Sequence, residues 1–207
     1  MKRSFLIVLF IFLNVYGFSQ NKRDALVLYQ NGQFKESIEV CEEEIRGNPN
    51  RLDSYVVLCW SLVRNKEYAR AEQRAYDGLK LNKYDIRLIE ILGEAQFYLG
   101  KITSALQQFQ QYISLAPDRT GSRVGSAYYF MGEIYIRQSK FQHADIALSA
   151  AVRKEPLSDE WWTRLGYARE MAGSYYKALE AYEEALKLNP TKEDASLGKE
   201  RVSDHLR

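Results

Sequence analysis

Apolar and polar positions alternate with the period of an α-helix along most of the 207-residue chain. Between residues 159 and 192, Trp162, Leu165 and Gly166 lie on one face of a first helix, because they are three and four residues apart. Gly173 and Ser174 then interrupt the pattern. A second apolar face follows the interruption, formed by Ala178, Tyr182 and Ala185 and ended by Pro190. The pattern therefore predicts two helices joined by a short turn.

This helix pair recurs at a constant interval along the chain. Ala71 and Ala105 are thirty-four positions apart, and so are Ala144 and Ala178. The four prolines keep the same register, since Pro156 and Pro190 are separated by one such interval and Pro49 and Pro117 by two. The step from Pro117 to Pro156 is five positions longer than one interval, which predicts an insertion of five, placed at 120–124.

The repeated unit resembles a tetratricopeptide repeat, whose signature is an aromatic residue, Leu-Gly, Ala, a second aromatic residue, Ala and a closing proline. The resemblance implies an all-α fold, a right-handed α-solenoid of about five helix pairs plus a C-terminal capping helix. The first unit is degenerate: Asp24 does not fit, and its first helix is expected to start near Asn21. The expected organisation is a unit at 18–51, further units at 52–85, 86–119, 125–158 and 159–192, and a capping helix and tail at 193–207.

The first nineteen residues have the three parts of a secretory signal. Lys2 and Arg3 precede an apolar run from Phe5 to Leu13, and Gly17 and Ser19 place small residues before a cut ahead of Gln20. The run is shorter than the roughly 20 residues that span a bilayer. We expect residues 1–19 to be a signal peptide and the mature chain to be exported, periplasmic or associated with the cell envelope. The alternative is a retained anchor, favoured by the basic residues that follow the cut.

Composition narrows the function classes without identifying a chemistry. Hydrophobic residues at 46% and charged residues at 27% are ordinary globular usage. The net charge of +2 disappears when Lys2 and Arg3 are removed, which argues against nucleic acid or an anionic membrane surface as a partner of the mature chain. No integral membrane span is expected in the mature chain either. His143 and His205 have no partners at catalytic or metal-ligand spacing. We therefore expect no enzyme activity, no catalytic residue, no cofactor and no metal.

Cys41 and Cys59 pose the one redox question. Both occupy packing positions on helices expected to be neighbours, which favours two buried thiols acting as small apolar groups. A disulfide between them is the alternative in an oxidising compartment.

In tetratricopeptide proteins the first helix of each unit lines the concave face, which usually binds peptides or partner helices. Aromatic side chains flanked by arginines are typical of binding centres. The alternative is that these aromatic residues pack against each other across adjacent first helices or under the insertion. The expected partner-binding residues are Trp60, Arg64, Glu94, Phe97, Tyr98, Tyr129, Phe130, Glu133, Arg137, Arg164 and Tyr167.

These observations predict a non-catalytic protein–protein interaction scaffold or adaptor in the bacterial cell envelope. Its partner is expected to be a peptide or helix with large apolar anchors. One alternative is a periplasmic ligand-handling accessory subunit of a transporter or an outer-membrane machine, which an apolar cavity would favour. A second is an envelope enzyme built from scattered Glu and Tyr residues.

Overall fold

The computed structural model describes residues 24–116 and 123–207. The expected signal peptide at 1–19 lies outside the described residues, as does most of the expected insertion at 120–124. The two described segments are α-helical and contain no strand. They form α1 Ala25–Gln30, α2 Phe34–Gly47, α3 Leu52–Arg64, α4 Tyr68–Leu81, α5 Ile86–Tyr98, α6 Ile102–Leu115, α7 Val124–Arg137, α8 Phe141–Lys154, α9 Asp159–Met171, α10 Tyr175–Leu188 and α11 Glu193–His205.

The turn inside each helix pair needs one residue in the left-handed backbone region. Gly32, Gly100 and Gly173 have φ of 76°, 75° and 76° at this position. Lys66 and Ser139 hold the same position in the other two pairs, with φ of 63° and 55°. A side chain there costs about 1–2 kcal/mol relative to ordinary backbone. All five turns therefore share the same backbone geometry, and Lys66 and Ser139 adopt a positive φ although they are not glycine.

The helices form two layers with different contacts. The odd-numbered helices α1, α3, α5, α7 and α9 contact one another in sequence, and α11 continues the row by packing on α9 and α10. Among the described residues, no two even-numbered helices bring their Cα atoms within 8 Å of each other, and α2 and α4 meet through side chains, where Arg74 pairs with Glu42 at 2.7 Å. Because the odd-numbered helices are drawn together and the even-numbered ones spread apart, the odd-numbered helices lie on the inner, concave side. We call them the inner layer and the others the outer layer.

Small residues allow the two layers to approach closely at the C-terminal end. A Cβ atom at Gly198 would lie 2.2 Å from Cζ of Tyr182, and one at Gly166 would lie 2.6 Å from its Cδ1. Tyr182 is 1% exposed, so its ring fills the space that both glycines leave open. Gly132 does the same for Leu148 in the preceding unit, at 2.4 Å. These contacts join α9, α10 and α11 into one packed end.

Two boundaries differ from the sequence expectations. Val124 is the first residue of α7, so it belongs to the helix and not to the insertion at 120–124. Helix α1 begins at Ala25 and not near Asn21. Asp24 caps it, because its carboxylate accepts hydrogen bonds from the backbone N–H groups of Leu26 at 2.8 Å and Val27 at 3.1 Å. The residue that breaks the repeat pattern is therefore the start signal of the helix.

Candidate partner-binding groove

Aromatic side chains form a nearly continuous row along the inner layer. We call the concave surface that carries this row the groove. At its N-terminal end, the rings of Tyr29 and Trp60 lie 5.8 Å apart between α1 and α3. At its C-terminal end, Tyr129 of α7 stacks on Trp161 of α9, with 5.2 Å between centroids and an interplanar angle of 12°. Sequence spacing does not single out Trp161, because its place at the start of α9 does not mark it as facing α7.

Two residues predicted to contact a partner are buried instead. Phe97 is 4% exposed and Phe130 is 7% exposed. Their rings meet edge to face at 5.1 Å, and Phe130 stacks on Phe109 of α6 at 5.2 Å with an interplanar angle of 1°. Assigning Phe97 and Phe130 to the binding surface is therefore wrong, and the alternative of packing across adjacent first helices holds for this pair. They are core residues that hold α5, α6 and α7 together.

Other predicted residues remain accessible. Tyr98 is 48% exposed, although one face of its ring stacks on Tyr68 at 4.6 Å. Arg64 and Arg137 are exposed, while Trp60, Tyr129 and Tyr167 are half-buried. Tyr68 belongs to an outer-layer helix, so the spacing of the first helices could not reveal it. The accessible part of the groove is therefore narrower than predicted and centres on Tyr98.

The acidic residues predicted to bind a partner form ion pairs with arginines of the protein itself. Arg164 grips Glu133 with two hydrogen bonds of 2.6 and 3.0 Å, and its guanidinium also lies 5.2 Å from the centroid of the Tyr167 ring. Glu94 pairs with Arg123 at 3.0 Å. The predicted Glu94, Glu133 and Arg164 thus lie in the groove, but as partners of other side chains.

A buried carboxylate lies beneath the groove. Glu90 is 2% exposed, and its Oε1 lies 3.0 Å from Nε of Arg123. Burial raises the pKa of Glu90 to about 7, against the opposing effect of the Arg123 charge. The backbone N–H of Arg123 also donates to the Tyr112 hydroxyl at 2.9 Å. Arg123 therefore ties the start of α7 to α5 and α6, a role that the sequence could not show because it falls in the predicted insertion.

Burial also shifts the pKa of the Tyr129 phenol at the C-terminal end of the groove. Burial raises the pKa of Tyr129 far above its ordinary value, and the Glu133 and Glu160 carboxylates raise it further. The hydroxyl is therefore protonated at neutral pH. Tyr129 therefore presents a neutral ring and a hydrogen-bond donor.

A cleft of about 490 Å³ opens at the N-terminal end of the groove. Its apolar wall is formed by Val56, Val57 and Trp60 of α3. Asp53 and Arg87 lie at its edge, joined by an ion pair of 2.9 Å between neighbouring inner helices. Charged groups therefore line much of this cleft, and the remaining charged residues along it are Asp24, Glu44 and Arg51.

The two cysteines are free thiols in the structure, so the alternative of a disulfide between Cys41 and Cys59 is not realised. Both are fully buried. Burial raises the pKa of the Cys41 thiol to about 12 and that of Cys59 further still. The Cys59 thiol points to the carbonyl oxygen of Ala71, 3.7 Å away. These are unreactive packing groups.

Two kinds of feature are absent from the described segments. No group of three or more His, Cys, Asp or Glu side chains there is arranged to hold a metal ion. None of the helices described is both long and apolar enough to cross a membrane.

Helix pairs in two layers, with an aromatic groove on the inner one, define an α-helical repeat protein. Two family models, each described as a tetratricopeptide repeat, match residues 91–119 and 160–192. The chain therefore carries tetratricopeptide repeats in these two segments. Among curated proteins, it is 25% identical to the BBSome complex member BBS4 of Bos taurus over 173 residues, which are 84% of this chain and 32% of that protein. The chain spans 14–42% of the length of the curated relatives it matches.

Solved structures share the fold. The MamA protein has a TM-score of 0.66 and 20% identity, with 81% of this chain and 89% of MamA covered. YrrB, described as a tetratricopeptide repeat protein with an unusual peptide-binding site, has a TM-score of 0.67 and 17% identity, with 87% and 94% covered. At these identities the likeness is one of fold.

Proposed function

We propose that this protein is a non-catalytic scaffold in the bacterial cell envelope, and that it holds a peptide or helix of a protein partner in the groove. Tetratricopeptide repeat proteins bind protein or peptide partners, and YrrB, which shares the fold, is described as having a peptide-binding site. The observation that carries the proposal is the row of accessible aromatic rings along the inner layer, centred on the 48% exposed Tyr98.

The accessible rings are held in fixed orientations by their neighbours. Trp60 lies against Tyr29, Tyr98 against Tyr68, and Tyr129 against Trp161. Rings held in this way lose little conformational entropy when a partner binds, so more of the contact energy appears as affinity. Large aromatic side chains are also the residues that dominate binding energy at interfaces. The groove is therefore suited to a partner segment with apolar anchors.

The charged groups of the groove support a role in binding. Glu133 and Glu94 each accept hydrogen bonds from an arginine, and Glu90 is covered by the protein with Arg123 beside it. General acid–base catalysis needs a carboxyl group within reach of a substrate. These carboxylates instead join neighbouring inner helices through ion pairs.

The cellular setting is proposed from the expected signal peptide at 1–19. Sequencing the N-terminus of the protein purified from its native envelope fraction tests it. We expect the mature chain to start at Gln20. A chain that retains Met1 contradicts cleavage, and a protein found in the cytosolic fraction contradicts the envelope setting.

Affinity capture from native envelope extract, followed by mass spectrometry, tests the groove. The double variant Trp60→Ala/Tyr98→Ala should lose the captured partner. Tyr176→Ala is the matched control, because this tyrosine is 72% exposed on α10 of the outer layer. Thermal unfolding checks that each variant is folded. Capture that survives in the double variant and is lost in the control contradicts groove binding.

The ligand-handling alternative depends on the cleft at the N-terminal end of the groove. Its volume of about 490 Å³ is within the range of small-molecule sites. Such sites are mostly apolar, whereas this one carries three carboxylates and two guanidiniums along its lining. The lining therefore favours an extension of the peptide groove over a separate ligand cavity.

A further inference from the structure

The last residues of three successive inner helices occupy one register position. Arg64 ends α3, Tyr98 ends α5 and Arg137 ends α7. The first step between them is one repeat interval, and the second is one interval plus the five extra positions. All three side chains are exposed. They form a row along the edge of the groove next to the turns, halfway along the solenoid, with an arginine on each side of a tyrosine.

Both arginines are held against aromatic rings. The Arg137 guanidinium carbon lies 3.9 Å from the centroid of the Phe97 ring, and that of Arg64 lies 5.8 Å from the Phe34 centroid. A guanidinium that lies over an aromatic face directs its N–H groups outward in its own plane, where they are free to donate. Neither arginine has a carboxylate within ion-pair distance among the described residues.

The neighbouring carboxylates are already used. Glu94 pairs with Arg123 at 3.0 Å. Burial raises the pKa of Glu94, and the positive charges of Arg123 and Arg64 oppose that rise, so Arg64 lies close without forming a pair. Glu133, on the same helix as Arg137, is bound to Arg164. The charge that remains available to a partner in the middle of the groove is therefore positive.

The helix dipole alone does not account for these arginines. A cation near a helix C-terminus is stabilised by the partial negative charge there. The same register position is nevertheless Gln30 in α1, Tyr98 in α5 and Met171 in α9, so the repeat does not require a cation at this place. The arginines are particular to the two repeats on either side of Tyr98.

We propose that the partner is an acidic segment in extended conformation, whose carboxylates pair with Arg64 and Arg137 while an aromatic or large apolar side chain between them packs on Tyr98. This inference rests on the proposed function and names the chemistry of the partner. Packed helices lie about 8–10 Å apart, so the two guanidiniums are roughly 16–20 Å apart across two steps. At about 3.3 Å per residue, the two acidic residues are roughly five or six positions apart. Each carboxylate would accept two parallel hydrogen bonds from a guanidinium.

A randomised peptide library displayed on phage, selected against the full mature chain, tests the inference with no partner chosen in advance. We expect enriched peptides to carry two Asp or Glu residues at that spacing around an aromatic residue. A synthetic copy of the strongest peptide should bind about tenfold more weakly to Arg64→Ala or Arg137→Ala in fluorescence anisotropy. Replacing its acidic residues by Asn or Gln should weaken binding to the wild-type chain similarly.

Arg153→Ala is the matched control, because Arg153 is exposed on the outer-layer helix α8. Its affinity should equal that of the wild type, and added salt should weaken the wild-type complex more than the arginine variants. Enrichment of neutral or basic peptides that still need Tyr98 overturns the acidic inference and leaves groove binding standing. Absence of enrichment, or binding unaffected by Tyr98→Ala and by both arginine variants, overturns both.

Discussion

Neighbouring helix pairs are packed together by different contacts in the middle of the solenoid and at its C-terminal end. At the C-terminal end, Gly166 and Gly198 let α9 and α11 close around a single ring, that of Tyr182. In the middle, α5, α6 and α7 meet through Phe97, Phe109 and Phe130. The end is joined by close backbone approach, and the middle by stacked rings.

The middle junction differs further in its buried charge. Glu90 and Arg123 bridge α5 and α7 next to the part of the chain where the repeat register is interrupted. At the C-terminal junction the carboxylate is only half-buried, and Glu170 accepts hydrogen bonds from Tyr182 and Arg201. The comparison teaches that a repeat junction with extra residues is secured by specific aromatic and ionic contacts, and these same contacts shape the middle of the groove.

Phe109→Ala is expected to have the largest effect. The Phe109 ring is fully buried and stacks on Phe130, so its removal leaves a cavity in the middle junction. We expect a loss of about 3–5 kcal/mol in the free energy of unfolding, measured by urea denaturation. Tyr176→Ala, on the exposed side of α10, should change it by less than about 0.5 kcal/mol. Equal losses in the two variants would remove the basis for an aromatic middle junction.

Glu90→Gln should change how stability depends on pH. The folded pKa of Glu90 is raised to about 7 from its usual 4.5, so the protonated form stabilises the fold and this stabilisation is lost as pH rises from 4.5 to 7. Between pH 4.5 and 7, the free energy of unfolding of the wild type should fall by on the order of 3 kcal/mol relative to that of the variant. Parallel curves for the two proteins would show that Glu90 titrates normally.

Gly198→Ala tests the close approach at the C-terminal end. The added methyl would overlap the Tyr182 ring, so we expect a loss of about 1–3 kcal/mol in thermal or chemical unfolding. Gly47→Ala is the matched control, since nothing lies within 4 Å of its Cβ position in α2. The free energy of unfolding of Gly47→Ala should rise by about 0.5–1 kcal/mol. A gain in both variants would mean that α11 does not pack as described.

The smallest expected effect concerns the turns, which both junction types share. Lys66→Gly and Ser139→Gly should each raise the free energy of unfolding by about 0.5–1 kcal/mol, because glycine accepts a positive φ without strain. Gln110→Gly, on the exposed side of α6, should instead cost about 1 kcal/mol. A loss at Lys66 and Ser139 equal to that at Gln110 would contradict a common turn geometry.

The sequence predicted the helix pairs well, because the constraints on them are local and periodic. The alanine and proline intervals carry the repeat, and the glycines at 32, 100 and 173 mark the turn position that Lys66 and Ser139 also hold. Burial in the groove was harder to predict. Helical spacing places Phe97 and Phe130 on the inner face of their helices but does not say how far the next helix covers them.

The sequence did not predict the partners of the charged residues, for a related reason. Arg123 lies where the register is interrupted, so no interval relates it to Glu90 or Glu94. Tyr68 and Phe34 come from outer-layer helices, and they contact Tyr98 and Arg64 only because the turns bring them to the edge of the groove. Such contacts depend on three-dimensional closure and not on sequence spacing.

Photocrosslinking tests partner binding in the groove most directly. Tyr98 is replaced by the photoreactive residue p-benzoylphenylalanine in one protein and Tyr176 in another, and both are irradiated in native envelope extract. We predict that a partner is crosslinked from position 98, in the middle of the groove, and not from position 176 on the outer layer. A partner crosslinked from position 176 and absent from position 98 would contradict the assignment of the groove.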